Sequence, residues 1–163
     1  MYSKHWLQIG GSAGAQSRHA EDHSVVRSCN GCTLCCKIPA IPVLEKKTNE
    51  WCVLCDQGKG CSRYHWRPQV CEDFNCLWLI SDQPEEWRPD RVGFYAVEES
   101  KELVKIRVDA DRPTAWQEGV GKQIVDDFRA RGKHVLVNVG MQLTFLPAFD
   151  KPCPEKLLID WLL

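Results

Sequence analysis

Residues 92–108 read VGFYAVEESKELVKIRV, and this stretch decides the fold. It contains two runs rich in β-branched and aromatic residues, 92–97 and 103–108, which are typical of strands. In the second run apolar and charged residues alternate, which is the period-two pattern of a strand with one buried face. The polar residues 98–101 between the runs suit a hairpin loop. The stretch therefore predicts a β-hairpin.

A helix is predicted after the hairpin. Thr114 and Gln117 match a capping box at its start. An apolar side chain recurs at every fourth position, at Trp116, Val120, Ile124 and Phe128. This spacing gives an apolar stripe that can face a core. Gly132 is expected to end the helix, whereas Gly119 and Gly121 weaken it by about 1 kcal/mol each relative to Ala.

The residues that follow complete the predicted core. Two strand-like runs, 134–139 and 141–146, are separated only by Gly140. A short helix is predicted over 154–163, because Pro154 fits a first helical turn. Four strands and one packing helix can cover one another, so we expect the hydrophobic core in this half of the chain.

The fold class that these patterns predict is α+β. We expect an irregular cysteine-rich metal-binding segment docked on a small antiparallel sheet with one or two helices. Residues 1–24 have no hydrophobic period and predict a flexible tail. Residues 25–80 form the predicted cysteine-cluster metal-binding region, and residues 81–163 the α+β region packed against it as one domain.

Composition and charge argue against several classes of protein. The chain has 163 residues and a net charge of -1, which argues against a binder that neutralises many nucleic-acid phosphates. No apolar run reaches the roughly 18–20 residues of a membrane helix. The first residues lack the apolar core of a signal peptide, so we expect a cytoplasmic location. In that reducing compartment clustered cysteines bind metal more often than they form structural disulfides.

The cysteines are the unusual feature of the sequence. Nine of the 10 lie in three groups, Cys29-x2-Cys32-x2-Cys35-Cys36, Cys52-x2-Cys55-x5-Cys61 and Cys71-x4-Cys76. At a spacing of two residues, a tight turn can direct two thiolates to one ion. The tenth, Cys153, is expected to be a structural or free thiol.

The spacing leaves two ligand partitions open. In the first, Cys29, Cys32, Cys52 and Cys55 form a two-knuckle zinc site, and the other five cysteines of the cluster supply a second site. In the second, the first three cysteines copy the start of a bacterial ferredoxin run, and a fourth thiolate comes from elsewhere. Spacing does not choose between zinc and an iron centre such as [4Fe-4S]. His65 is an alternative ligand inside the cluster.

Two blocks of this segment resemble a known family. The first block is Cys29-x2-Cys32-x2-Cys35-Cys36. The second, residues 60–76, has the pattern Gly-Cys-x-x-Tyr-x-x-Arg-Pro-x-x-Cys-x-x-Phe-x-Cys. Together they resemble the bacterial CxxCxxCC cysteine-cluster family of zinc- or iron-chelating domains. The resemblance covers residues 29–78 and implies a relation to the cysteine-rich part of flagellin lysine methylases, which use an iron–sulfur centre.

The resemblance also implies a ligand set. Its cysteines match Cys29, Cys32, Cys35, Cys36, Cys55, Cys61, Cys71 and Cys76. Cys52 lies outside this set, although the two-knuckle zinc partition uses it. Arg67 and Tyr64 are expected around the ligands. Arg67 either pairs with Asp73 or a backbone carbonyl, or donates to the thiolates and offsets their negative charge.

Three functions remain open at this level. The first is a metal-chelating protein that binds zinc or iron through cysteine thiolates. The second is an iron–sulfur protein for electron transfer or a lysine-methylation-like protein modification. The third is a zinc-ribbon interaction module. No catalytic arrangement stands out, so a non-enzyme is favoured. The expected partners are metal ions and an unidentified protein, with no membrane and no nucleic acid.

Overall fold

The structure is a computed structural model and describes residues 27–29 and 31–152. The predicted tail over 1–24, the predicted helix over 154–163 and Cys153 lie outside the described residues.

Six strands and four α-helices occur in the described part of the chain. The strands are β1 Cys55–Asp56, β2 Gly60–Cys61, β3 Phe94–Ser100, β4 Leu103–Val108, β5 His134–Val139 and β6 Gln142–Leu146. The helices are α1 Gln69–Glu72, α2 Leu77–Ile80, α3 Pro89–Val92 and α4 Gly119–Ala130. Short 3-10 turns occur at Leu34–Cys36, Pro42–Leu44, Tyr64–Trp66 and Glu85–Trp87. None of the described helices has the length and apolarity needed to span a membrane.

The α+β class is confirmed, with one small antiparallel ribbon and one four-stranded sheet. The ribbon is β1–β2, and the larger sheet has the order β3-β4-β5-β6. Its outer pairs are antiparallel, but β4 and β5 are parallel, so this sheet is mixed rather than antiparallel throughout. The reason is that α4 carries the chain back between β4 and β5, and a parallel pair needs such a crossover.

The predicted hairpin is confirmed, but its first strand differs at both ends. Residues 98–100, predicted as loop, belong to β3, and the turn is formed by Lys101 and Glu102. Tyr95 pairs with Arg107, and Leu103 closes the pairing opposite Ser100. The first strand begins at Phe94 rather than at Val92, because Gly93 adopts a φ of 83° and ends α3. Only glycine enters this left-handed region without strain.

The two faces of the large sheet contact different parts of the chain. On one face lies the main apolar core, formed by the sheet residues Phe94, Val104, Ile106, Val135 and Val137 with Ile124, Val125 and Phe128 of α4. The alternation of side chains places Tyr95 on the opposite face. There it packs with Leu34, Ile38, Cys76 and Trp78 of the cysteine segment. The sheet therefore separates α4 from the cysteines.

The predicted start of α4 is wrong, whereas its predicted end is confirmed. The helix begins at Gly119, and Thr114 lies in a preceding turn. In this turn the Thr114 carbonyl accepts a hydrogen bond from the Gln117 amide. A Cβ on Gly121 would lie 1.8 Å from the Ala115 carbonyl oxygen, so this turn crosses the first helical turn at van der Waals contact. Gly121 is therefore required by packing, whereas Gly119 has open space around it and instead adopts a φ of 53°. Gly132 ends the helix with a φ of 74°.

A buried ion pair joins the cysteine segment to the end of β4. The Lys37 Nζ lies 2.6 Å from Asp109 Oδ1 and 2.5 Å from Asp111 Oδ2. Lys37 and Asp109 are both buried. The contact spans the boundary between the two predicted regions, so it fixes the cysteine segment on the sheet.

Candidate metal centre

Both x2 cysteine pairs of the predicted zinc partition form tight turns. The Cys32 amide donates to the Cys29 carbonyl at 2.7 Å, and the Cys55 amide donates to the Cys52 carbonyl at 3.0 Å. A turn of this kind brings its two cysteines to one side of the backbone. The structure therefore provides the local geometry that the spacing predicts.

Backbone contacts bring the first two cysteine groups together. The Cys52 amide donates to the Cys36 carbonyl at 3.0 Å. In the β1–β2 ribbon, Cys55 lies opposite Cys61. The amide of Gly58, in the loop of that ribbon, donates to the Thr33 hydroxyl at 3.2 Å. Cysteines from residues 29–36 and 52–61 thus share one small assembly.

Arg67 arranges the third group. Its Nη1 donates to the Tyr64 carbonyl at 2.9 Å, its Nε donates to the Cys71 carbonyl at 3.3 Å, and its guanidinium stacks 3.9 Å from the Tyr64 ring centroid. Asp73 instead accepts a hydrogen bond from Gln69. Of the alternatives for Arg67, the structure shows the carbonyl contacts and not the Asp73 pair. Donation by Arg67 to the thiolates stays a prediction.

One cavity of about 950 Å³ collects most of the cluster. Eight of the nine free cysteines line it: Cys29, Cys32, Cys35, Cys36, Cys52, Cys61, Cys71 and Cys76. The opposite wall comes from β3 and β4, including Tyr95, Lys105 and Arg107. Cys55 is the one described cysteine that does not line the cavity, and Cys52, outside the family set, does.

Burial raises the pKa of most of these thiols. It raises the pKa of Cys32 to about 11 and, together with the charge of Cys36, that of Cys55 to about 12. For Cys36 a hydrogen bond with Cys35 is the largest cause, followed by burial, and its pKa is also raised. Thiols with raised pKa values stay protonated at neutral pH in the metal-free protein. A cation that binds here must displace their protons.

The donor chemistry suits a soft metal, although the side chains are not arranged around an ion. Nine free thiols are available, and thiolates are the ligands of zinc and iron–sulfur sites. Across residues 27–29 and 31–152, no group of three or more His, Cys, Asp or Glu side chains has the arrangement of an ion site. His65 is exposed, packs edge-on against Tyr64 and does not line the cavity.

Sequence reasoning missed several residues of this site. Lys46 is buried and donates to the carbonyl of Lys37, the residue after Cys36, and Tyr95, Lys105 and Arg107 form the sheet wall. For Lys105 and Arg107 the sequence did hold a signal, because the alternation in β4 places both charges on the face opposite the core. No sequence pattern indicated Lys46.

Comparisons of this chain with protein-family models, with curated proteins and with solved structures find no match. The resemblance to the CxxCxxCC family therefore stays a prediction that rests on the two cysteine blocks.

Proposed function

We propose that this protein chelates zinc or iron through the thiolates of its cysteine cluster. The observation that carries the proposal is the convergence of eight free cysteines, from three separate stretches of chain, on one cavity. Residues so distant in sequence do not meet through local spacing alone.

The burial of these cysteines also supports chelation. Cysteines that act only as small apolar residues are among the most buried in proteins. Among the nine cysteines that the structure describes, only Cys52 and Cys76 are buried, and the other seven are partly exposed. Six of these seven, all but Cys55, line the cavity rather than a packed core, so they are accessible to an incoming ion.

An iron–sulfur centre is the second candidate, and the cavity size favours it. A closed four-cysteine zinc site holds its ion in direct contact with four sulfurs at about 2.3 Å. The volume of about 950 Å³ is larger than such a site requires. An iron–sulfur centre here would serve electron transfer or a modification reaction resembling lysine methylation. We assign no catalytic residue.

The test is elemental analysis and visible spectroscopy on full-length protein purified without oxygen. Chelation predicts bound zinc, or bound iron with acid-labile sulfide and a broad visible band. Cys61→Ser and Cys71→Ser should each lower the metal content. Cys153→Ser, outside the cluster, is the matched control and should leave it unchanged. Metal-free wild-type protein that also takes up no zinc or iron on reconstitution would refute the proposal.

A further inference from the structure

Lys46 is a buried cation with neutral hydrogen-bond acceptors. It is 7% exposed. Its Nζ donates to the carbonyl oxygens of Lys37 at 2.7 Å and Lys47 at 3.1 Å, and also to that of Pro39. Among the ion pairs of the described residues, none involves Lys46. The carbonyls satisfy its three donors and leave its charge uncompensated.

A buried charge of this kind needs an anion. Desolvation of an ammonium group costs several kcal/mol, and carbonyl dipoles recover only part of it. Burial accordingly lowers the pKa of Lys46. The negative charges of ionised Cys52 and Cys36 would raise the pKa of Lys46 again, and more than the charge of Glu50 does. An ionised Cys71 would raise it as well. The cysteine thiolates are therefore the strongest anionic partners that the surroundings of Lys46 can supply.

The backbone fixes Lys46 beside these thiols. Two of its three acceptors are carbonyls just after Cys36, that of the next residue, Lys37, and that of Pro39 three residues on. The Cys36 carbonyl in turn accepts the Cys52 amide. Lys46 itself pairs with Ile41 through two backbone hydrogen bonds of 2.9 and 3.2 Å. The ammonium is thus held on carbonyls next to the backbone segment whose Cys36 carbonyl binds Cys52.

We propose that Lys46 is the counter-cation of an anionic thiolate–metal centre that includes Cys36 and Cys52. The inference rests on the proposed function and deepens it by locating one centre and adding Cys52 to its ligands. Each thiol releases one proton as it binds the metal. A divalent ion with three thiolates carries a net charge of −1, and with four thiolates −2. Lys46 offsets one unit of that charge.

The test uses Co²⁺ as a spectroscopic probe of the full-length metal-free protein, with affinity measured by competition with a chelator under anaerobic conditions. Lys46→Gln keeps an N–H donor for the carbonyls but removes the charge. We expect it to weaken Co²⁺ binding by about 10- to 100-fold, the range for residues that support metal ligands. Lys46→Arg restores the charge and should recover most of the affinity. Lys122→Met, on the exposed surface of α4, is the control for loss of one positive charge.

Cys52 is tested by the cobalt–thiolate charge-transfer band. Cys52→Ser should weaken this band and the affinity, whereas Lys46→Gln should lower the affinity and keep the band. Circular dichroism establishes that each metal-free variant is folded, and Lys46→Met, which also removes the charge, is the second variant if Lys46→Gln is not.

The outcomes separate the two proposals. Wild-type protein that binds neither Co²⁺ nor iron refutes the proposed function. Wild-type protein that binds Co²⁺ while Lys46→Gln binds it equally well refutes the role of Lys46 as counter-cation. A Cys52→Ser band equal to that of wild type removes Cys52 from the centre.

Discussion

Lys37→Met should destabilise the protein because it removes the cation that pairs with the buried Asp109 carboxylate. Lys37 bridges Asp109 at 2.6 Å and Asp111 at 2.5 Å, and the side chains are 6%, 10% and 78% exposed respectively. Methionine matches the length of the lysine stem but cannot donate. Asp109 would then keep the Asp111 amide, 3.0 Å away, as its donor inside the protein. Nearly all of the effect should come from Asp109, because water solvates Asp111.

The expected size follows from this burial. Removal of one partner from a buried pair costs about 3–5 kcal/mol in the free energy of unfolding. Each kcal/mol lowers Tm by about 2–4 °C in a domain of this size, so we expect a drop on the order of 10 °C. Urea unfolding followed by tryptophan fluorescence measures the change. Asp111→Asn is the control and should cost less than about 1 kcal/mol, as exposed pairs do.

A double variant separates charge from packing. Lys37→Met with Asp109→Leu removes both charges and should recover most of the lost stability, because apolar replacements of buried pairs are often neutral. If Lys37→Met costs no more than Asp111→Asn, the ion pair does not hold the cysteine segment on the sheet and the reasoning is refuted.

The same pair predicts a dependence on pH. Burial lowers the pKa of Lys37, but its hydrogen bonds to Asp109 and Asp111 outweigh burial and leave the pKa raised. A raised lysine pKa gives stability that is complete below the unfolded value near 10.4 and is lost as pH rises through the folded value. The stability difference between wild type and Lys37→Met should therefore be constant at neutral pH and shrink above about pH 10.4.

Three further predictions concern the core and the cluster. Gly121→Ala should destabilise by about 1–3 kcal/mol in urea unfolding, because its Cβ meets the Ala115 carbonyl, although helix propensity alone favours alanine; a gain in stability would contradict this packing. Phe94→Ala, at a site 2% exposed, should cost about 3–5 kcal/mol by the same assay, and a loss below 1 kcal/mol would contradict its place in the core. Chelator treatment of metal-loaded protein should speed hydrogen exchange over residues 29–76 and leave β3–β5 protected, because the core of the large sheet contains no cysteine; uniform loss of protection would contradict this.

The strands of the core were predictable because their pattern is local. Residues 103–108 and 134–139 form strands with the predicted bounds. Alternation reports one buried face directly, and no distant contact alters it. The parallel pairing of β4 with β5 was not predicted, because it depends on the path of the helix between them rather than on either strand.

The start of α4 shows where local patterns fail. Thr114 and Gln117 have the spacing of a capping box, but the chain turns there and begins its helix at Gly119. The cause is the close approach of the Ala115 carbonyl to Gly121. By helix propensity alone, a glycine inside a helix is destabilising. Only the packed structure shows that the Ala115 carbonyl occupies the space that a side chain at Gly121 would need.

The cysteine ligands of the candidate site were predictable from the sequence, whereas the charged residues around them were not. Cysteine spacing indicated thiolate chemistry because a turn of two intervening residues is a local geometry. Lys46 gave no signal, since lysines are rarely buried and a sequence does not show which one is the exception. Cys52 was left open between partitions for the same reason, because its neighbours come from residues far away in the chain.

The roles of the two sheet faces explain how a segment with little regular structure can hold a cluster of thiols. One face of β3 and β4 packs against α4 in an apolar core that is complete without the cysteines. The other face carries Tyr95 into the second apolar cluster and Arg107 into the cavity wall. The sheet is therefore both the scaffold of the apolar core and one wall of the cavity. Because the core between this sheet and α4 contains no cysteine, metal binding should order the cysteine segment and the charge around Lys46 and leave the large sheet unchanged.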